Sequence, residues 1–430
     1  MRNICFYFEI HQPVRLKRYR FFDIGQDHYY YDDFQTEDTI RYLTDNSYLP
    51  ANQILAEMIR NTNGKFRCAF SISGVALEQL EQYAPEVIDS FKELAKTGSV
   101  EFLAETYPHS LASLYDMNEF EKQVKMHADK IESLFGKRPT VFRNSELIYS
   151  DKIGEIISKL GYKAILIEEA KQVMGWKSTN YIYSHPTQSK LKLLIRNFKL
   201  SDDIAFHFSN NSWHEYPLTS EKFISWITSL PAEDNLINLW MGYEALGVFQ
   251  RRETGIFDFI KALPYHAMEN QINFILPSEA AKKLESAGPI NVSYPISWSG
   301  TGKDISSWNG NDLQQEALNK LYAVSERVRL CNDKPLQHDW LMLQATDHFR
   351  YMNHKDAFGS HYDTAYEAFM NYMNVLADFL ERVAAQYPSN IENEELNELL
   401  KTILNQEITI EKLETELKKL KTRKAKNQEV

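Results

Sequence analysis

The sequence predicts an α/β fold: a closed parallel barrel of seven or eight strands followed by an α-helical domain. Three observations carry this reading. Short strands and amphipathic helices alternate along residues 1–290, the strands are apolar along nearly their whole length, and past residue 291 helices follow one another without strands between them. An open doubly wound sheet is the alternative that the same alternation allows. The organisation expected is a barrel over 1–290, a helical domain packed on it over 291–388, and a charged helical tail over 389–430.

The elements justify themselves in order. The segment near 3–9 is an apolar first strand, interrupted at Glu9 and lacking the small-residue pattern of a cleaved leader. A second strand falls near 66–71. PEVIDSFKELAKTG then reads as a helix, with Pro85 in its first turn, Val87, Phe91 and Leu94 on one face, and Gly98 beyond its end. Strand 99–103 leads to a helix bearing Phe120, Val124, Ile131 and Leu134, stopped by Gly136. After strand 140–142, Ser150 is the expected N-cap of the next helix, with Asp151 favourable in its first turn. Strands 163–167, 191–195, 235–241 and 272–276 complete the set, the last three separated by helices SEKFISWITSL and TGIFDFIKAL. Beyond 291, VSYPISWSGTGKDISSWNGNDLQQ is a bridge into long helices. In the tail, Ile410, Leu413, Leu417 and Leu420 recur at 3-4-3 spacing, the pattern of a short coiled coil or a docked terminal helix.

Bulk composition excludes several classes. The net charge is −11, from 48 Lys+Arg against 59 Asp+Glu, and this disfavours nucleic acid as the partner. No apolar run reaches the length of a membrane span. Three cysteines, Cys5, Cys68 and Cys331, are scattered without metal or redox spacing, which suits a reducing compartment and a cytoplasmic protein. Aromatic content is 13%, with 24 Tyr and 24 Phe, enough for a large core or for sugar-stacking platforms.

The strand ends carry acids. His11 and Gln12 follow the first strand, Glu101 and Glu105 mark the third, Glu146 the fourth, Glu168 and Glu169 the fifth, Asp202 and Asp203 follow 191–195, and Glu244 follows 235–241. Parallel barrels build their sites at the C-terminal ends of strands, so these groups would converge on one mouth. Two carboxylates in a groove are the equipment for glycosidic cleavage, one protonating the leaving oxygen and one attacking or activating water. Arg143 would keep Glu146 ionised, and adjacency would raise one of Asp202 and Asp203. A metal hydrolase is the competing chemistry, but the twelve histidines contain no H-x-x-x-H pair. G-x-S-x-G and phosphate-binding glycine motifs are also absent from the sequence.

Taken in order, HQP (11–13), GSVEF (98–102), FRNSELIYSD (142–151), KLSDDIAFHFSN (199–210) and MGYEALG (241–247) resemble the five motifs of glycoside hydrolase family 57, and its α-amylase subgroup most closely. ATDHFRYM (345–352) resembles a downstream family segment. The resemblance implies a (β/α)7-type distorted barrel, an α-glucan or maltooligosaccharide substrate, retention through a glycosyl-enzyme, and no cofactor or metal. It further implies Glu146 as nucleophile, Asp202 as general acid/base, and His11, Gln12, Glu101, Glu244 and Asp347 as sugar-binding residues. The fifth motif departs from the family's Met-Asp-Tyr-Glu and Gly-Glu-His: Gly242 replaces the Asp, and Val248-Phe249 replace the Glu-His pair. Transglycosylation on the same residues, or glucan binding with little turnover, are the alternatives that remain. Trp176, Trp213, Trp298 and Trp308 are candidate stacking residues or ordinary packing, and the C-terminal helix is a candidate for self-association.

Overall fold

The computed structural model describes residues 2–357 and 359–386, and beyond them 398–399, 401–403, 405–410, 412–415 and 417. Nine strands position the site: β1 Arg2–Ile10, β2 Cys68–Ile72, β3 Val100–Phe102, β4 Val141–Arg143, β5 Ala164–Ile167, β6 Ile182–Ser184, β7 Lys192–Ile195, β8 Leu236–Gly242 and β9 Ile272–Phe274. β1, β2 and β3 pair in parallel, as do β4, β5 and β7, and β8 pairs in parallel with β1. Single bridges, Ala104 to Phe142 and Arg196 to Asn238, join the two groups. Seven strands thus close a barrel, and the two thin seams account for its distortion.

Two strands lie outside the ring. β6 returns antiparallel to β7, a hairpin that apolar patterning did not reveal because only three residues pair. β9 pairs with Arg2, Asn3 and Ile4 alone, while β2 pairs with Tyr7 to Ile10 of the same strand. Since β8 occupies the other edge of β1, β9 satisfies the backbone groups that β2 leaves open at the barrel base.

Side-chain alternation sorts the core into layers. Cys5, Tyr7, Ala69, Leu103, Val141, Leu166, Leu194 and Trp240 fill the barrel interior. Their neighbours Ile4, Phe6, Phe8 and Phe70 face outward into a cluster with the surrounding helices. Phe142, Ile165 and Ile195 face outward on the opposite side and share a cluster with Leu318, Trp340, Leu343, Tyr372 and Phe379. Those last residues belong to helices Asp312–Ala323, Lys334–Leu343 and Ala365–Gln386. The helical region therefore shares a core with the barrel, and its loops close over the mouth.

Local signals read from sequence have physical counterparts. Gly136 ends its helix in the left-handed conformation, and Pro85 opens helix Pro85–Lys96. Ser150 occupies the N-cap position before helix Asp151–Lys159, but its side chain makes no capping bond. Asp151 accepts a bond from the Val292 N–H at 2.9 Å instead, tying this helix to the bridge segment. No helix among the described residues is long and apolar enough to cross a membrane. In the tail, Ile410, Leu413 and Leu417 are exposed, whereas Leu420 and residues 389–397 lie outside the described residues.

Candidate active site

At the C-terminal ends of the strands opens a cavity of about 1250 Å³. Glu9 near the end of β1, His11 and Gln12 after it, Glu146 after β4, Arg196 after β7 and Glu244 after β8 line it from the barrel side. Trp298, Asp347 and Arg350 line it from the region beyond the barrel. The cavity exceeds the roughly 300–1,000 Å³ of typical ligand clefts, leaving room for an extended ligand.

Glu146 is neither a cap nor a solvated loop residue. It is 8% exposed, and it and Leu147 take left-handed backbone angles, φ 55° and 52°. Two successive left-handed residues without glycine cost about 1–3 kcal/mol each, so surrounding contacts must impose them. Leu147 is fully buried in the barrel interior. Trp298 holds Glu146 twice: its indole Nε1–H donates to Oε2 at 2.6 Å and its backbone N–H donates to the Glu146 carbonyl at 3.3 Å. Thr346 Oγ1 donates to Oε1 at 2.9 Å. Burial alone would push this carboxyl up, but His109, Arg350 and the Trp298 bond outweigh it and hold the group well below its ordinary value. The result is an ionised carboxylate fixed in orientation at the cavity wall.

The charges that keep Glu146 ionised are those of His109 and Arg350, and Arg143 is engaged elsewhere. Arg143 is fully buried and pairs with Glu9 at 2.5 Å and Glu105 at 3.3 Å. His109 lies 3.5 Å from each of Glu9, Glu105 and Glu146, and stacks on His11 with ring centroids 4.1 Å apart. Burial opposes a charged imidazole, yet the carboxylates around it raise His109 to about 10. Glu105 is held down at about 2 by His109 and Arg143 against the effect of burial. Glu9 moves upward, chiefly through burial. His109 also has a left-handed backbone, φ 59°, so local strain collects at this cluster.

Asp202, the last residue of helix Phe198–Asp202, forms a close ion pair with Arg196. The same guanidinium lies 3.2 Å from Glu168, whose burial raises it to about 7 even with Arg196 and Lys303 nearby. Asp203 points away, 3.0 Å from His207, and burial raises it, so the two adjacent aspartates occupy different environments. The Trp240 ring links the two regions, with the Arg143 and Arg196 guanidinium carbons 5.3 and 4.9 Å from its centroid.

The remaining expected residues divide. His11 contacts Asp347 and Ser73, both at 2.7 Å, and all three stand beside the His109 cluster. Glu244 is raised by burial, accepts from the Tyr48 hydroxyl at 2.6 Å, and is also bonded by Gln12. Glu101 requires a correction. Its buried carboxylate accepts the Ser278 N–H at 3.0 Å at the start of helix Pro277–Lys283, at the barrel base and away from the cavity. Glu105, four residues further along the chain, is the acid that reaches the Glu146 network. Among the tryptophans, Trp298 reaches the site, Trp308 is wholly buried, Trp213 packs against the core, and Trp176 is exposed elsewhere. His109, Arg196, Trp240 and Arg350 lacked any spacing signal that would have singled them out.

Known proteins share this architecture. A Methanocaldococcus jannaschii protein named "Putative alpha-amylase" is 36% identical over 400 residues, covering 87% of this chain and 84% of that protein. A branching enzyme from Thermococcus kodakaraensis superposes with a TM-score of 0.69 at 13% identity, over 93% of this chain and 94% of that one. A 4-alpha-glucanotransferase from Thermococcus litoralis gives 0.65 at 14% identity, and here 87% of the chain spans only 59% of the longer enzyme. The model of the family described as "Glycosyl hydrolase family 57" matches residues 5–293, which hold the barrel strands except the first three residues of β1, together with Glu146 and Asp202. With most of the chain matched both by that family and by the methanogen relative, the protein belongs to glycosyl hydrolase family 57.

Proposed function

We propose that the protein cleaves α-1,4-glucosidic bonds of starch- or glycogen-type glucans or maltooligosaccharides with retention of configuration. Glu146 attacks the anomeric carbon while Asp202 protonates the departing oxygen; Asp202 then deprotonates water, which releases the sugar from Glu146. The observation that carries this reading is the state of Glu146, a buried carboxylate kept ionised by His109 and Arg350 and aimed by Trp298 and Thr346. A nucleophile needs both properties, and a structural ion pair needs neither an open cavity nor left-handed backbone. Gln12, His11, Glu244 and Asp347 are suited to bind sugar hydroxyls. The near-neutral value of Glu168 supports a proton held in the Asp202 region.

Incubating wild type, Glu146→Gln and Asp202→Asn with soluble starch and a maltooligosaccharide ladder tests the assignment, reading reducing ends and chain lengths together. New reducing ends in wild type, reduced at least about 10³-fold in both variants, are expected. Redistributed lengths without new ends would make the protein a glucanotransferase on the same residues. Glucan binding without either change would overturn the catalytic assignment.

Two further readings accompany this one. Free, buried Cys5, Cys68 and Cys331 support a cytoplasmic setting. Ile403, Ile410 and Leu417 stand seven residues apart in helical segments and are all exposed, which supports self-association through this helix. Light scattering should show the full chain as an oligomer and a chain ending at residue 386 as a monomer; a monomeric full chain would dismiss the coiled-coil role.

A further inference from the structure

One stretch of the cavity wall is apolar and aromatic. Tyr42, Phe206 and Phe249 line it while remaining 52%, 49% and 43% exposed. Exposure alone means little, since Phe34 and Tyr294 are more exposed and lie outside the cavity. What sets these three apart is that three separate segments are locked together to bring them to one rim. Gln250 donates to the Ala205 carbonyl at 2.8 Å and accepts the Ser209 N–H at 3.1 Å, joining the turn of Phe249 to that of Phe206. Gly247 packs so tightly on the Asn46 carbonyl that an added Cβ would meet it at 1.9 Å, joining the same turn to the segment after Tyr42. Its φ of 105° also demands glycine. Phe249 is further fixed by its N–H, which donates to the Glu244 carbonyl at 2.9 Å.

Resting on the assignment of Asp202 as acid/base, we propose that Tyr42, Phe206 and Phe249 form the binding platform for the glucan segment on the leaving-group side, which is also the acceptor site when a second chain replaces water. A general acid stands beside the leaving oxygen, so side chains on the acid's side of the cavity face the chain beyond that oxygen. Helix Phe198–Asp202 runs directly into turn Asp203–His207, and Phe206 lies four residues after Asp202. Pyranose rings present C–H faces that pack on aromatic rings, while their hydroxyl edges remain free for polar groups. In transfer, the acceptor's 4-hydroxyl oxygen bonds to the anomeric carbon as its bond to Glu146 breaks, and the hydroxyl proton passes to Asp202. Val248-Phe249, in place of a charged and polar pair, make this wall a surface for sugar rings.

The test compares two donors on the full chain: a maltooligosaccharide, and α-maltosyl fluoride, whose leaving group occupies no sugar site. Phe206→Ala and Phe249→Ala should lower kcat/KM for the oligosaccharide at least ten-fold more than for the fluoride. They should also raise the maltotriose concentration for half-maximal transfer by a similar factor. Phe34→Ala, outside the cavity, serves as control. Equal losses on both donors, or no loss on either, in an active enzyme would overturn the platform alone. Wild type inert towards both donors would overturn the hydrolase assignment and the platform with it.

Discussion

The two sides of the cavity are built on different principles. Around Glu146, His109 from beyond the third strand and Trp298, Thr346 and Arg350 from beyond residue 290 converge on one carboxylate, and both of its oxygens accept a bond. Around Asp202, a single guanidinium serves two acids, and half-exposed aromatic rings line the cavity beyond. The difference teaches where rigidity is needed. A nucleophile must be charged and aimed before substrate arrives, because reorganising a buried charge during reaction is costly. A leaving-group side must pass chains of different length, so it is lined by surfaces that grip without demanding one geometry.

The largest effect expected from breaking this contrast is at His109. His109→Gln removes the positive charge among Glu9, Glu105 and Glu146, and leaving buried carboxylates uncompensated costs about 3–5 kcal/mol. Denaturant melts at neutral pH measure this directly. The histidine's raised value also gives the sign of its pH dependence. Its stabilisation is complete below its ordinary value of 6.5 and is lost as pH rises through about 10. Wild type should therefore lose stability across that window, and the variant should lose none of that component.

A smaller effect sharpens the other side. Glu168, raised from 4.5 to about 7, contributes stability that is complete below pH 4.5 and lost as pH rises through 7. Glu168→Gln should flatten that part of the stability profile and displace the basic limb of kcat/KM, with Asp202 left in place. A basic limb at the same pH in the variant would remove Glu168 from the acid side.

The smallest effect belongs to neither side. Glu101→Gln retains an acceptor for the Ser278 N–H, so stability should fall by about 1 kcal/mol or less. The maltooligosaccharide assay should show kcat and KM within two-fold of wild type. A ten-fold loss of activity would return Glu101 to the site.

Glu101 also shows where reading a sequence stops. Residues 101, 103 and 105 alternate in phase, and the pattern correctly turns all three inward, as buried Leu103 confirms. Depth is a separate matter. Four residues of strand span about 13 Å, the distance between the base of a barrel and its mouth. Only the strand's register against β2 and β4 decides which acid reaches the substrate. The apolar strands, the helix stops and the carboxylates that follow strands were legible because each depends on local pattern. His109 and Arg196 were not, because part of each role rests on partners from other strands, Glu9 and Glu146 for His109 and Glu168 for Arg196. Arg143 misled for the converse reason: three residues from Glu146 in sequence, it is spent on Glu9 and Glu105.

Trp240 carries a consequence for how such an enzyme changes over generations. One indole lies against both Arg143 and Arg196, hence against the cations of both carboxylate regions. A substitution there displaces both at once, so neither region can drift independently while the other stays tuned. The rim aromatics line the cavity half-exposed. On the proposed platform, new chain-length preferences would come by single steps at Tyr42, Phe206 or Phe249, whereas a change in the chemistry itself would call for coordinated change.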